Sequence, residues 1–120
     1  MFVVHRIGVE SSLTVAIIPE TCQVLSAGLG GNGLPSLWYS VDVVEPESFQ
    51  VLVVDNIPTG QMVGCSCPKH FLGTVNVGGK VSHLFRRTHL PLISMEKALS
   101  MKEMTPVQVL DELAAMMVPA

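Results

Sequence analysis

The chain is short of charge. Asp, Glu, Lys and Arg make up 14% of it, against about 25% in an ordinary soluble domain. So sparse a charge predicts either that part of the surface is covered in the working state, or that Ser, Thr, Asn and Gly keep it wet. Cations are scarcer still: seven Lys and Arg against ten Asp and Glu give a net charge of −3. No run of them exists beyond Arg86-Arg87. Nucleic-acid binding draws on clustered cations that release counterions, so the composition argues against it. No apolar run reaches the roughly 18 residues of a membrane helix. The start, MFVVHRIGVESS, lacks a charged head before a long apolar core, so no secretory signal is expected. Three cysteines are an odd number. Without a secretion signal they predict reduced thiols and a cytoplasmic setting.

What the chain does have is a β-hairpin signal over residues 70–87, HFLGTVNVGGKVSHLFRR. Two runs rich in Val, Leu, Phe and Thr flank Gly78-Gly79, and paired glycines supply the positive φ angles of a two-residue primed turn. With these as the turn, Val77 pairs with Lys80, Thr74 with His83, Gly73 with Leu84 and Leu72 with Phe85. Alternation then puts Leu72, Thr74, Asn76, His83 and Phe85 on one face, and Phe71, Gly73, Val75, Val77, Ser82, Leu84 and Arg86 on the other. Both faces hold apolar residues, so the pair is expected to be covered on both sides. Gly73, mid-strand, signals a bulge or the close approach of another backbone.

Five further strands precede the hairpin. They are expected over 2–7, 13–18 (stopped by Pro19), 22–29, 36–44 and 49–54, with Val24 and Leu25 as core candidates. In the fourth, Leu37, Tyr39, Val41 and Val43 face one way and Ser36, Trp38, Ser40 and Asp42 the other. The glycine-rich stretch GLGGNG between the third and fourth is not followed by a helix. It therefore reads as a hairpin connection rather than a dinucleotide cradle.

After Arg87 the pattern changes. Residues 88–94 read as a linker, and 95–101 as a possible extra helical turn or two. Thr105, Pro106 and Gln108 form a helix start: an N-cap, a proline at the first position, and a capping-box partner. Val107, Leu110, Leu113, Ala114 and Met117 follow at spacings of three and four. Five of the seven methionines lie in this tail. Methionine suits irregular gaps and adaptable interfaces. The tail either covers a sheet of its own chain or packs against a neighbour.

Two constellations could carry a site. Trp38, Gly31, Asn32 and His83 could line a pocket for a ring-shaped, nucleotide-like ligand, although such a tryptophan more often caps the edge of a core. Cys65, Cys67, His70 and His89 supply two thiolates and two imidazoles, a sound tetrahedral zinc set. Extending the hairpin puts Arg87 opposite His70 and brings His89 alongside, but the Cys-x-Cys spacing is tighter than the usual knuckle. The competing reading is loop cysteines with surface histidines and no cofactor. No carboxylate pair is placed by the sequence for acid–base work, and no third group orients Cys67 and His70 as a nucleophile pair. A non-enzymatic protein is expected.

The order of features resembles a group of short phage and prophage proteins of uncharacterised function. The likeness covers about residues 3–87. It is carried by QVLSAGLGGNGLPSLWYSVD, FQVLVVDNIPTG and HFLGTVNVGGKVSHLF, within which the matching pairs and triplets are Leu25-Ser26, Leu37-Trp38, Val41-Asp42, Thr59-Gly60, Gly73-Thr74-Val75 and His83-Leu84-Phe85. Two departures stand out. Gln61 occupies the place of a histidine after Thr-Gly, and the tail is an extension. The resemblance implies an accessory protein acting inside a bacterial host, and brings no activity with it.

The expectation is therefore a mainly β domain over 1–87, an antiparallel sandwich or partly open barrel of about seven strands. A linker and C-terminal amphipathic helix follow over 88–120. Its expected role is a binding or assembly protein that forms a homo-oligomer, through the tail, and engages a host protein or a small molecule. Small-ligand sequestration and zinc binding are the alternatives.

Overall fold

A computed structural model of the chain describes residues 1–9, 11–42, 44–61 and 68–117. Seven strands are followed by two helices: β1 Phe2–Gly8, β2 Leu13–Pro19, β3 Gln23–Leu29, β4 Pro35–Asp42, β5 Phe49–Pro58, β6 Lys69–Val77, β7 Lys80–Arg87, α1 Met95–Lys102 and α2 Pro106–Met117. The strands form two antiparallel sheets, ordered β1-β4-β3 and β2-β5-β7-β6. They stack as a sandwich and do not close into a barrel. Among the described residues no helix is long and apolar enough to cross a membrane.

β5 organises the interior. Its run Val51, Leu52, Val53 and Val54 is buried throughout, each residue at most 2% exposed. A strand apolar at every position is one covered on both faces. Leu52 and Val54 point between the sheets, joining Val9, Ile18, Cys22, Leu37, Val75 and Leu84. Val51 and Val53 point the other way, into a second core with Ile93, Ala98, Met101, Val109 and Leu113 from the tail. Burying each such side chain is worth on the order of 1.5–3 kcal/mol. The tail thus roofs the second sheet of its own chain, and the molecule has three layers.

The helices begin where their caps dictate. Ser94 Oγ accepts from Lys97 N–H at 3.2 Å to start α1. For α2, Thr105 Oγ1 accepts from Gln108 N–H at 3.3 Å while Gln108 Oε1 accepts from Thr105 N–H at 2.9 Å, a reciprocal capping box. The buried stripe of α2 differs from the expected one. Val109 and Leu113 are buried, whereas Val107, Ala114 and Met117 are exposed. Both spacings are helical; which one lies inward is decided by the angle at which the linker delivers the helix to β2 and β5.

The hairpin turns at Gly78 and Gly79, with φ of 57° and 88°. The pairs Val77–Lys80, Thr74–His83 and Gly73–Leu84 form as expected. Beyond Gly73 the register slips by one, because Leu72 is extruded as a bulge. Phe71 then faces Phe85, their rings 5.5 Å apart. His70 faces Arg86 instead of the expected Arg87, which faces Lys69. Gly73 also serves a close approach: a Cβ there would lie 3.2 Å from Ala27 Cβ on β3, where the two sheets meet edge to edge. A second bulge, between Val24 and Ser26, turns Leu25 out of the core; it is 52% exposed.

Candidate functional site

The residues expected to share a ring-binding pocket are dispersed. Trp38 lies on the outer face of the first sheet, opposite Arg6 on one side and Ser26 on the other, its ring over Gly28. Asn32 Oδ1 accepts from Arg6 Nη1 at 3.1 Å and from Leu34 N–H at 3.2 Å, which closes the loop; Gly31 is exposed at its tip. Arg6 also donates to Ser36 Oγ at 3.3 Å. His83 belongs to the other sheet. Its Nε2 meets Thr59 Oγ1 at 2.8 Å and its Nδ1 meets Thr74 Oγ1 at 2.9 Å, so both ring nitrogens are committed to bracing β7 against β6 and the turn that follows β5. The four residues do not converge.

A cavity of about 920 Å³ opens instead at the hairpin-tip end of the sandwich. Val9, Pro35, Val77 and Val81 give it an apolar lining, with Ser12, Asn56 and Lys80 among its polar groups. None of Trp38, Gly31, Asn32 and His83 lines it.

At the opposite end of β6 and β7 the charges gather. Asp55 accepts from Arg87 through both carboxylate oxygens, at 2.9 and 3.0 Å, and from Lys69 Nζ at 3.1 Å. Burial raises the Asp55 carboxyl, but the hydrogen bonds and charges of Arg87 and Lys69 outweigh it and hold the group below the usual carboxylate value. Three strands are pinned there: Asp55 from β5, Lys69 from β6 and Arg87 from β7. Arg86, on the other face of β7, donates to Gln50 Oε1. Gln50 is itself fixed, its Nε2 donating to the carbonyls of Pro19, Glu20 and Cys22 at 3.1, 3.2 and 2.9 Å.

His70 and His89 come to line one cavity, by a different route from the expected register. Thr88 N–H still donates to Pro68 O at 3.0 Å, after which His89 adopts φ 61°, the left-handed region, and turns the chain away. Both histidines then line a cavity of about 310 Å³ with Arg86 and Arg87. Cys65 and Cys67, the other half of the zinc set, lie outside the described residues. Among the described residues no three His, Cys, Asp or Glu side chains stand together as metal ligands do. Cys22 is buried, and burial pushes its thiol up, which marks a packing residue.

Sequence reasoning missed Arg86, Gln50 and Arg6. The adjacent pair Arg86-Arg87 was the available signal: on a strand two neighbouring arginines must serve opposite faces, so a single carboxylate cannot easily answer both.

No family model matches the chain, and no curated protein or solved structure matches it either.

Proposed function

We propose that the chain is a non-enzymatic assembly protein that extends its first sheet by pairing β1 with β1 of a second copy. The observation that carries this reading is the open edge of β1. Phe2, Val3 and Val4 are 65%, 51% and 49% exposed, and among the described residues β1 pairs only with β4. Soluble proteins blunt such edges with lysine, proline, bulges or cover; 2–4 carry none of these. The other edges are managed. β3 is bulged and abuts β6 at Gly73, β6 is bulged, and β2 ends in Pro19 under the tail helices.

A second copy suits this edge because the strand is self-complementary when antiparallel. Centring the pair on Val4 puts Phe2 of one copy opposite Arg6 of the other and Val3 opposite His5. Each pair shares a face, and Phe2 gains a guanidinium over its ring. The low charge of the chain agrees with a surface that is covered. Association was expected through the tail; Val109 and Leu113 of α2 are buried against its own β2 and β5, and the contact is assigned here to the open strand β1 instead. By its resemblance to phage proteins, this assembly would act inside a bacterial host.

Sedimentation velocity across a wide concentration range tests the reading. Wild type is expected to sediment as a dimer, and Val4→Lys as a monomer with an unchanged circular dichroism spectrum. A wild-type monomer at all concentrations, or a Val4→Lys dimer, contradicts it.

Small-ligand capture is the second reading, favoured by the cavity of about 920 Å³, within the size range of small-molecule sites. An apolar lining with Lys80 at its rim suits an aromatic anion. Anilinonaphthalene sulfonate should fluoresce with the folded chain and not with Val81→Arg. Equal fluorescence with both removes this reading.

A further inference from the structure

The cavity of about 310 Å³ beside β7 is lined by two arginines and two histidines, and only one of the arginines has a carboxylate partner among the described residues. Arg86, Arg87, His70 and His89 line it, with Thr88 and Gln50. No carboxylate among the described residues lines it, and residues 62–67, which lead into β6, contain no acid. Asp55 neutralises Arg87. Arg86 has no such partner among the described residues: its one protein acceptor is the neutral amide oxygen of Gln50.

We propose that this cavity binds a tetrahedral oxyanion, phosphate or the phosphoryl end of a small organic phosphomonoester. Three observations carry it. First, a guanidinium has five N–H donors in a planar fork that matches phosphate oxygens; Gln50 takes one edge and leaves the rest. Gln50 is itself held by three carbonyls, so Arg86 is positioned before any ligand arrives. Second, Arg86 is half-buried and uncompensated, and burial alone pulls it below the ordinary arginine value. A partly desolvated cation gains most from an anion brought to it. Third, His89 stands in the left-handed region, where glycine would fit without strain. The strained backbone delivers an imidazole to the cavity. The same electrostatics disfavour a metal, since the uncompensated guanidinium of Arg86 beside the imidazoles repels a dication. Val51, Leu90 and Leu92 form an apolar wall of the cavity, where the organic part of a phosphomonoester would rest.

The test is a titration of the full chain, followed by amide NMR, with inorganic phosphate and with phenyl phosphate, against chloride at matched ionic strength. Saturable shifts at residues 70 and 86–90 are expected with phosphate probes and not with chloride. Phenyl phosphate binding several-fold tighter assigns the site to an organic phosphomonoester; equal affinities assign it to the free ion. Arg86→Lys keeps the charge and loses the fork, and His89→Gly removes the imidazole together with the strain. Each should weaken binding about tenfold. Shifts that chloride reproduces, or affinities unchanged in both variants, overturn the proposal.

Discussion

Arg87 grips Asp55 at both ends, Nε to Oδ2 at 2.9 Å and Nη2 to Oδ1 at 3.0 Å. Its neighbour Arg86 reaches only a neutral amide. Two adjacent arginines therefore do different work. One closes an ion pair that ties β7 to β5, with Lys69 adding β6. The other, on the opposite face of the strand, meets no carboxylate among the described residues and keeps its charge for the cavity that both arginines line.

The Asp55 cluster predicts acid sensitivity. The carboxyl is held below its ordinary value in the folded chain, so its contribution is fully present above the unfolded value of about 3.9. It is lost as pH falls through the folded value. Urea unfolding followed from pH 7 downward should show stability falling below about pH 4, and Asp55→Asn should flatten that fall. At pH 7 the substitution leaves Arg87 and Lys69 without their anion, at a cost of about 3 kcal/mol. A loss under about 0.5 kcal/mol would contradict the pinning role.

Gly73 and Ala27 form a second coupled pair. A Cβ at Gly73 would sit 3.2 Å from Ala27 Cβ and 3.6 Å from its carbonyl oxygen, so Gly73→Val crowds β3 against β6. A destabilisation of about 1–3 kcal/mol is expected, with part of it recovered in the double variant Gly73→Val, Ala27→Gly. Strictly additive effects in a double-mutant cycle would show that the two sites do not touch.

The hairpin shows how far the sequence could be read. Gly78-Gly79 announced the turn, and counting back from it gave correct pairs as far as Gly73–Leu84. The same glycine warned of a bulge or a close approach, and both occur. The direction and size of a bulge depend on which neighbour presses from β3, and that is non-local. One extruded residue at Leu72 was enough to move His70 from Arg87 to Arg86 and change the meaning of the end of the hairpin. His89 was nominated through a register that does not hold, and reaches the cavity because the chain turns left-handed at that residue. Trp38, Asn32 and His83 were grouped by residue type alone. Strand pairing puts Trp38 in β4 and His83 in β7 of the other sheet, with Asn32 in the loop before β4, and no periodicity carries that information.

Backbone strain at His89 separates stability from binding. A non-glycine residue in the left-handed region costs about 1–2 kcal/mol, and glycine's extra unfolded-state entropy takes back about 0.4–1 kcal/mol. His89→Gly should therefore unfold at the same or a higher urea concentration than wild type. A clear loss of stability would mean that the imidazole serves packing.

The tail predicts an aggregation phenotype. Truncation after Arg87 uncovers Val51 and Val53 together with Leu13, Val15 and Ile17, which pack against the helices. The shortened chain should be insoluble or bind anilinonaphthalene sulfonate strongly. A smaller step, Thr105→Ala, removes one side of the capping box and should cost about 1 kcal/mol, with faster amide exchange in the first turn of α2. A soluble, well-folded truncation would show that the second core is dispensable.

The most direct test of the assembly reading is amide hydrogen exchange in β1 at low and high protein concentration. In a monomer the N–H groups of β1 that point away from β4 exchange freely. If β1 pairs with β1, those same amides become protected as concentration rises, while amides bonded to β4 change little, and Val4→Lys abolishes the added protection. Outward amides of β1 that exchange at the same fast rate at every concentration would contradict the account.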